Sequence, residues 1–484
     1  MNHLILLFPV FLPCIYAVLY GLVRFKQDKH REIFIGTAII GNFLLLILTL
    51  QNDPLPALHL LRLDRFVDVY FHIDKMGILF SLLASTLWIF TMFFSMEYMH
   101  HEQNTKRFFS FFILNLGIII GIAFSGNLFT MYIFYELLTL ATYPLVIHAE
   151  TEDALYSGKK YLIYSFFGAT LILLGMILLY SMTNDLNFVA NGIIGKADAH
   201  NETMLMVAYF VMFIGFGVKA ALVPFHSWLP SAMVAPTPVS ALLHAVAVVK
   251  SGIFAIIRVS YFIFGADVLR GMKGHLWING MVILTIALGS LMALHQDNLK
   301  KRLAYSTISQ LGYVLLGIVL LNKNALIGGL FHLINHAVVK ITLFFIVGAI
   351  YFTTEKKYIH EIKGIGREMP ITMLCFSIAS ISLIGIPPTN GFASKWFLAL
   401  GGIAENKLFF VIILLFSAFL TAGYLLPIVV TAFFQGEEKT AVEKKEPPLK
   451  ILVPIVVLTG VTVFLGLFPN HVLQFIKSIA GEII

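Results

Sequence analysis

The sequence predicts an all-α polytopic membrane protein of about fourteen transmembrane helices. Three observations predict it. Of 484 residues, 59% are hydrophobic and 12% are charged, against roughly 25% charged in an ordinary soluble chain. The mean hydropathy is +0.88, too apolar for a globule that must cover itself with polar surface. Apolar stretches of roughly 20 residues, the length that crosses a bilayer, recur along the whole chain.

The spans fall near 4–23, 33–50, 76–97, 109–124, 127–148, 160–182 and 204–226 in the first half. The second half adds 239–264, 276–294, 301–321, 326–352, 370–400, 407–434 and 450–468. The first lacks a basic leader and an Ala-x-Ala site, so it reads as a retained helix and not as a removed signal. Two spans are irregular. Pro224 and Pro230 follow the seventh, and Pro387-Pro388-Thr389-Asn390-Gly391 sits inside the twelfth. Adjacent prolines remove backbone donors and clash with the preceding turn, so the twelfth span is expected to unwind mid-membrane. After Phe468 the tail is short and is expected to be interfacial at most.

Composition also excludes classes of function. Cys14 and Cys375 are the two cysteines, which leaves no disulfide framework and no cysteine-ligated zinc or iron–sulfur site. The 33 basic and 26 acidic residues form no basic stripe, so nucleic acid is not an expected partner. No nucleotide, flavin or cluster motif is present, and no catalytic or metal-binding set is assigned. His100, His101 and Glu102 read as a solvated turn, and His226 as a helix-end residue.

Loop charges orient the bundle. Nineteen lysines and arginines lie in loops after odd-numbered spans, including Arg24, Lys106, Lys300, Lys356 and Lys444, against nine on the other side. The positive-inside rule places the richer side in the cytoplasm and both termini outside. Asp53, Asp64, Asp68 and Asp74 in the 51–75 loop fit the outer side.

Five basic residues remain inside spans: Lys219, Lys250, Arg258, Lys340 and Lys395. Glu136 is the deep acid. Each such charge costs roughly 2.5–3.5 kcal/mol at a helix centre, which argues for a role. Arg258, towards a helix end, reads as a snorkelling or structurally paired residue. His332, His336 and Lys340 follow at four-residue spacing, on one helix face over about 12 Å of depth. His244 precedes Lys250 by six residues, or about 9 Å. Histidine titrates near neutrality and desolvation discourages charge on lysine, so these types in line suit proton transfer through water.

Four stretches carry a resemblance. The run Gly217–Pro230 holds Lys219, Pro224, His226 and Trp228; Ala235-Pro236-Thr237-Pro238 leads to His244, Lys250 and Gly252. Phe134-Tyr135-Glu136-Leu137 lies in span five, Asp297–Gly312 enters span ten, and Asn335-His336 with Lys340 lies in span eleven. Over roughly 105–430 the chain resembles the antiporter-like membrane subunits of complex I (NADH:quinone oxidoreductase), of Mrp-type cation/proton antiporters (their D-type subunit) and of energy-converting membrane-bound hydrogenases. The His244 and Ala-Pro-Thr-Pro segment looks more like the complex I distal type than a typical Mrp D-type subunit. The chain reads as a short-form subunit, without a lateral helix after the last span.

The resemblance implies two inverted five-helix repeats, spans four to eight and nine to thirteen, with broken helices at Pro224 and at Pro387 and Pro388. The organisation it gives is 1–104 for three N-terminal helices, 105–265 and 266–436 for the repeats, and 437–484 for the last span and tail. It implies a Glu136–Lys219 pair, a relay through Lys250 with His244, then His332, His336 and Lys340, and discharge at Lys395. It further implies a proton-translocating subunit with no cofactor of its own. Its partners would be the bilayer, homologous antiporter-like and small membrane subunits, and redox subunits carrying iron–sulfur, NiFe or flavin groups. The alternative is a stand-alone or Mrp-type Na⁺/H⁺ antiporter subunit, with sodium as further cargo; a scaffold with vestigial half-channels is a third reading. One deep carboxylate against four lysines favours protons, since sodium prefers hard oxygens.

Overall fold

The computed structural model describes residues 2–51, 57–62, 68–195, 201–272, 275–436 and 444–484. Asp53, Asp64, Arg65, Lys196, Lys273 and Lys439, which entered the loop-charge reading, lie outside the described residues. Helices α1 (Phe8–Leu22) and α2 (Asp28–Leu50) come first, then a ribbon of β1 (Leu58–Arg62) and β2 (Asp68–Phe71). Next are α3 (Lys75–Tyr98), α4 (Thr105–Phe124), α5 (Leu128–Val146), α6 (Glu152–Thr183) and α7 (Glu202–Lys219). Short α8 (Trp228–Ser231) leads to α9 (Thr237–Ala245), α10 (Val248–Ile257), a π-helical stretch Arg258–Phe264 and α11 (Ala266–Gly271). The second half holds α12 (His275–Leu294), α13 (Leu299–Val319), α14 (Lys323–Thr354), short α15 (Ile365–Glu368), α16 (Pro370–Ile384) and α17 (Asn390–Ala404). It closes with α18 (Leu408–Phe434), α19 (Leu449–Leu467) and α20 (Asn470–Ile483).

Among the described residues, 12 helices are long and apolar enough to cross a membrane. The chain is a multi-pass membrane protein. The more polar α13 and the broken pair α16–α17 stand where the tenth and twelfth spans were expected. Side chains of Asp74, Asn127, Thr151, Asn298 and Asn322 accept from the backbone three residues on and fix the starts of α3, α5, α6, α13 and α14, each supplying an acceptor to an orphan N–H.

α14 and the α9–α10 segment are enclosed, with 94% and 100% of their most apolar stretches buried. The peripheral helices instead expose Leu44, Phe166, Ile177, Phe419 and Val453, an outer coat suited to lipid or to other apolar helices. α14 lies against α9, α13, α17 and α19. Its contact with α17 is close because Gly328 faces the Phe397–Leu398 backbone and Gly401 faces Ala325; small residues let helices in a membrane approach this way.

The two expected breaks are present. α7 ends at Lys219, Ala221 takes a left-handed conformation, and the Val223–Pro224 bond is cis. Backbone groups freed there find partners: Thr285 on α12 accepts from the Val223 N–H at 3.0 Å, and the Trp228 indole donates to the Val218 carbonyl at 2.8 Å. α16 stops at Gly385 (φ 92°), the Pro387–Pro388 bond is cis, and α17 restarts at Asn390. Unwound backbone survives at membrane depth only where protein satisfies it in this way.

Three features differ from the sequence reading. The eighth span is not continuous: its ladder fails at Val246–Ala247, between α9 and α10. The loop before α3 is not wholly irregular but holds the antiparallel β1–β2 ribbon. The tail is a packed element, since α20 buries Leu473, Ile476, Ile479, Ala480 and Ile483, and Glu482 pairs with Lys75 at 3.1 Å.

Candidate functional site

Glu136 lies midway along α5 and Lys219 is the last residue of α7. The Lys219 Nζ is 3.7 Å from Glu136 Oε1, donates to the Tyr135 carbonyl at 2.5 Å, and stands 3.3 Å from the centre of the Tyr135 ring. Lys219 is 1% exposed and Glu136 20%. The ammonium is thus held against α5, by the Tyr135 carbonyl and ring and by Glu136, while Glu136 lies towards the edge of the chain beside exposed Leu137 and Leu140.

Lys250 occupies the first turn of α10, because the break at Val246–Ala247 restarts the helix there. Its Nζ lies 2.6 Å from His336 Nδ1. A hydrogen bond between two basic nitrogens requires a lone pair on one of them, so this pair cannot hold two cations and keep the bond. His336 stacks near His332, with ring centres 6.1 Å apart. His332 Nδ1 is 3.0 Å from Ser394 Oγ, and Nε2 is 3.1 Å from Gln310 Oε1. Gln310 Nε2 has no protein partner, and a half-turn of that amide offers His332 a donor in place of an acceptor.

The Tyr313 ring links His332 to the last lysine. Its centre is 5.3 Å from the His332 ring and 5.1 Å from Lys395 Nζ. Lys395 reaches back across the break and donates to the Leu383 and Ile384 carbonyls, both at 2.8 Å. Its ammonium thus caps the C-terminal end of α16, where the helix dipole favours a cation. Asn335 steadies the break by donating to the Asn390 carbonyl at 2.7 Å, and Ser382 donates to Asn390 Oδ1 at 2.5 Å.

The geometry rearranges the expected order. The sequence reading ran His332, His336, Lys340, Lys395. In space Lys250 meets His336 first, His332 follows, and His332 is the residue adjacent to the Tyr313–Lys395 end. Lys340 leaves this line: it donates to the Leu303 carbonyl at 3.1 Å and to the Ser306 hydroxyl. Sequence spacing put all three on one face but carried no information on which way the lysine extends. His244 stands beside Phe344, ring centres 4.9 Å apart, and neither of its ring nitrogens has a protein partner. No hydrogen bond joins Lys219 to Lys250 among the described residues.

Several contributors escaped the sequence reading. Gln310, Ser394 and Tyr313 hold the middle of the line, and Asn335 and Asn390 hold the second break. Gln310 sat inside a motif already singled out, so its signal was present without a role. Arg258 is a paired charge: it is 1% exposed, binds Asp74 through both terminal guanidinium nitrogens, and lies 4.5–5.0 Å from the Phe188, Phe254 and Phe262 rings. Burial opposes charge on Asp74, but the Arg258 guanidinium holds its carboxyl below the usual range. Among the described residues no group of three His, Cys, Asp or Glu side chains is placed to hold a metal.

Comparison with known proteins places this arrangement. Residues 125–421 match the family described as "NADH:quinone oxidoreductase/Mrp antiporter, TM", and residues 64–109 match "NADH-Ubiquinone oxidoreductase (complex I), chain 5 N-terminus". The chain belongs to this antiporter-like membrane family, whose members are subunits of complex I and of Mrp-type complexes. It is 34% identical to NADH-quinone oxidoreductase subunit N of Desulforudis audaxviator, over 76% of this chain and 75% of that one. It is 28% identical to the D-type subunit of the Na(+)/H(+) antiporter of Alkalihalophilus pseudofirmus, over 100% and 98%. Against Na(+)/H(+) antiporter subunit A1 of Staphylococcus haemolyticus the identity is 31%, and the match covers 98% of this chain and 62% of the longer relative. The fold is shared with a chain of the Mrp complex from Dietzia sp. (TM-score 0.87, 22% identity, 100% and 97% covered). It is also shared with a chain of complex I from Thermus thermophilus (TM-score 0.77, 23% identity, 96% and 98% covered).

Proposed function

We propose that this chain carries protons across the cell membrane as one subunit of a multisubunit energy-converting complex. The observation that carries the proposal is the buried succession Lys250–His336–His332–Tyr313–Lys395, with the Glu136–Lys219 pair at its other end. The lysines and histidines each offer an exchangeable proton or an acceptor, while Tyr313 lines the path with its ring, its hydroxyl donating to the Leu414 carbonyl at 3.3 Å. The helix dipoles bias it: the N-terminal end of α10 opposes a cation at Lys250, and the C-terminal end of α16 favours one at Lys395. A proton released onto Lys250 therefore has an electrostatic reason to move on towards Lys395.

The trigger is the ion pair. While Glu136 faces Lys219, the ammonium keeps its proton. Withdrawal or neutralisation of Glu136 removes that support, and Lys219 passes its proton through water to Lys250. A pair at about 4 Å is worth about 4 kcal/mol at an effective dielectric constant near 20. Moving one charge through 100 mV costs about 2.3 kcal/mol, so the pair can match the load. Glu136 lies at the chain's edge, where a neighbouring subunit can act on it, and this supports partners that are homologous membrane subunits. We read residues 105–265 and 266–436 as the two inverted repeats, residues 1–104 and 437–484 as the flanking helices, the lysine-rich face as cytoplasmic, and both termini as outside.

Glu136→Ala or Lys219→Ala in the reconstituted complex is expected to lower coupled proton transport about a hundredfold, the usual weight of a positioned acid or base. Assembly should be retained. Full transport in both variants would remove the relay. A Na⁺/H⁺ exchange role draws support from the Na(+)/H(+) antiporter relatives, both the A1 and the D-type subunits. Sodium-driven proton flux from the purified chain alone would establish that reading instead.

A further inference from the structure

A cavity of about 590 Å³ opens on the lysine-rich face, where α3 and α14 end and α9 and α13 begin. Glu102, Ala235, Lys300, Val347 and Tyr351 are among its walls. Glu102 is half-buried there, not the solvated turn residue its sequence context suggested. Burial pushes its carboxyl up, against the pull of Lys300 and His101. Lys300 sends its ammonium to the Ala235 carbonyl at 3.0 Å.

Two rows of polar groups lie deeper than this cavity. On α13, the Leu303 carbonyl that accepts from Lys340 comes three residues after Lys300, about 5 Å deeper. On α9, Thr237 donates to the Tyr98 hydroxyl at 3.1 Å beside the cavity, and His244 follows seven residues later, about 10 Å deeper. Val347 and Phe344 of α14 stand between, as an apolar neck. Lys340 meets the first row at the Leu303 carbonyl and the Ser306 hydroxyl. Both ring nitrogens of His244 and Nε2 of His336 have no protein partner.

We propose that this cavity is a second water path from the lysine-rich face, one that delivers protons through Glu102 and Lys300 to Lys340 and His244. These protons reach the Lys250–His336 pair without passing Glu136–Lys219. Lys340 then serves as a side input and not as a link in the line. The inference rests on the proton-carrying reading above, and the experiment separates the two.

The complex containing this chain is reconstituted in proteoliposomes and its proton transport measured. Glu102→Gln should lower the rate about tenfold, and Glu102→Asp should restore it, because a shorter carboxylate still accepts a proton. Lys159→Gln, exposed on the same face, should leave it unchanged. Independently, Val347→Cys in a Cys14→Ser, Cys375→Ser chain should react with a small hydrophilic thiol reagent offered from the lysine-rich face. Full transport by Glu102→Gln, or a Val347→Cys thiol that stays unreactive from that face, overturns the second path. Glu136→Gln serves as the reference. Transport lost in Glu136→Gln but kept in Glu102→Gln defeats this inference alone, whereas transport kept in Glu136→Gln defeats the relay itself.

Discussion

Lys219 and Lys395 come from different broken helices and differ in their settings: the Lys219 ammonium meets Glu136 and the Tyr135 carbonyl of α5, whereas the Lys395 ammonium meets the C-terminal carbonyls of α16. Lys250 has the opposite setting to Lys395, in the first turn of α10. Charge at membrane depth was readable from the sequence, because only five of the 33 lysines and arginines could not be assigned to loops. Their partners were not, because hydropathy fixes depth and leaves open which helix faces which. Hence Gln310, Ser394 and Tyr313 appear only in the structure, and Lys340 changes role. Arg258 shows the contrasting case of a paired charge that holds the fold. Arg258→Met leaves Asp74 buried without its cation and should cost about 3–5 kcal/mol. The thermal midpoint of the detergent-solubilised protein checks this. The Asp74–Arg258 pair should persist throughout neutral pH. Since the Asp74 pKa is depressed, its stabilisation weakens only as pH falls below the usual carboxylate range.

At the level of elements, proline and glycine made two of the three interruptions legible. Pro224 announces the end of α7, and Pro387-Pro388 with Gly391 announces the gap between α16 and α17. The interruption at Val246–Ala247 carries neither residue. Its flanks, Leu242 to Val249, are apolar apart from His244 and hold no proline or glycine, so the sequence gives no sign of the break. The same break sets Lys250 at a helix start, and so part of the site was hidden with it. The ribbon was missed because its strands are short and lie in a polar loop. α20 was missed because 14 residues read as a tail, although Leu473, Ile476, Ala480 and Ile483 already fall on one helical face. The α14–α17 contact gives a test at this scale. Gly401→Leu places bulk against the Ala325 backbone and should destabilise by about 1–3 kcal/mol through overpacking. It should also disturb Ser394 and Lys395 on α17. A variant with an unchanged thermal midpoint would show that the two helices do not depend on close approach.

Taken whole, the molecule is an apolar coat around a narrow polar interior. Its coat exposes residues such as Phe419, Phe434 and Trp277, at 75%, 80% and 78%, which in water would be an aggregation surface and in a bilayer is ordinary. The interior holds a single carboxylate–lysine pair and then a run of basic groups with neutral partners. That asymmetry underlies the proposed function, in which the run conducts protons and the pair gates them. The most direct measurement replaces the acceptor that Lys250 faces. With His336→Phe in the reconstituted complex, proton transport should fall about a hundredfold, while the thermal midpoint and co-purification of partner subunits stay near the parent's. Proton transport at the parent rate in that variant would contradict the account.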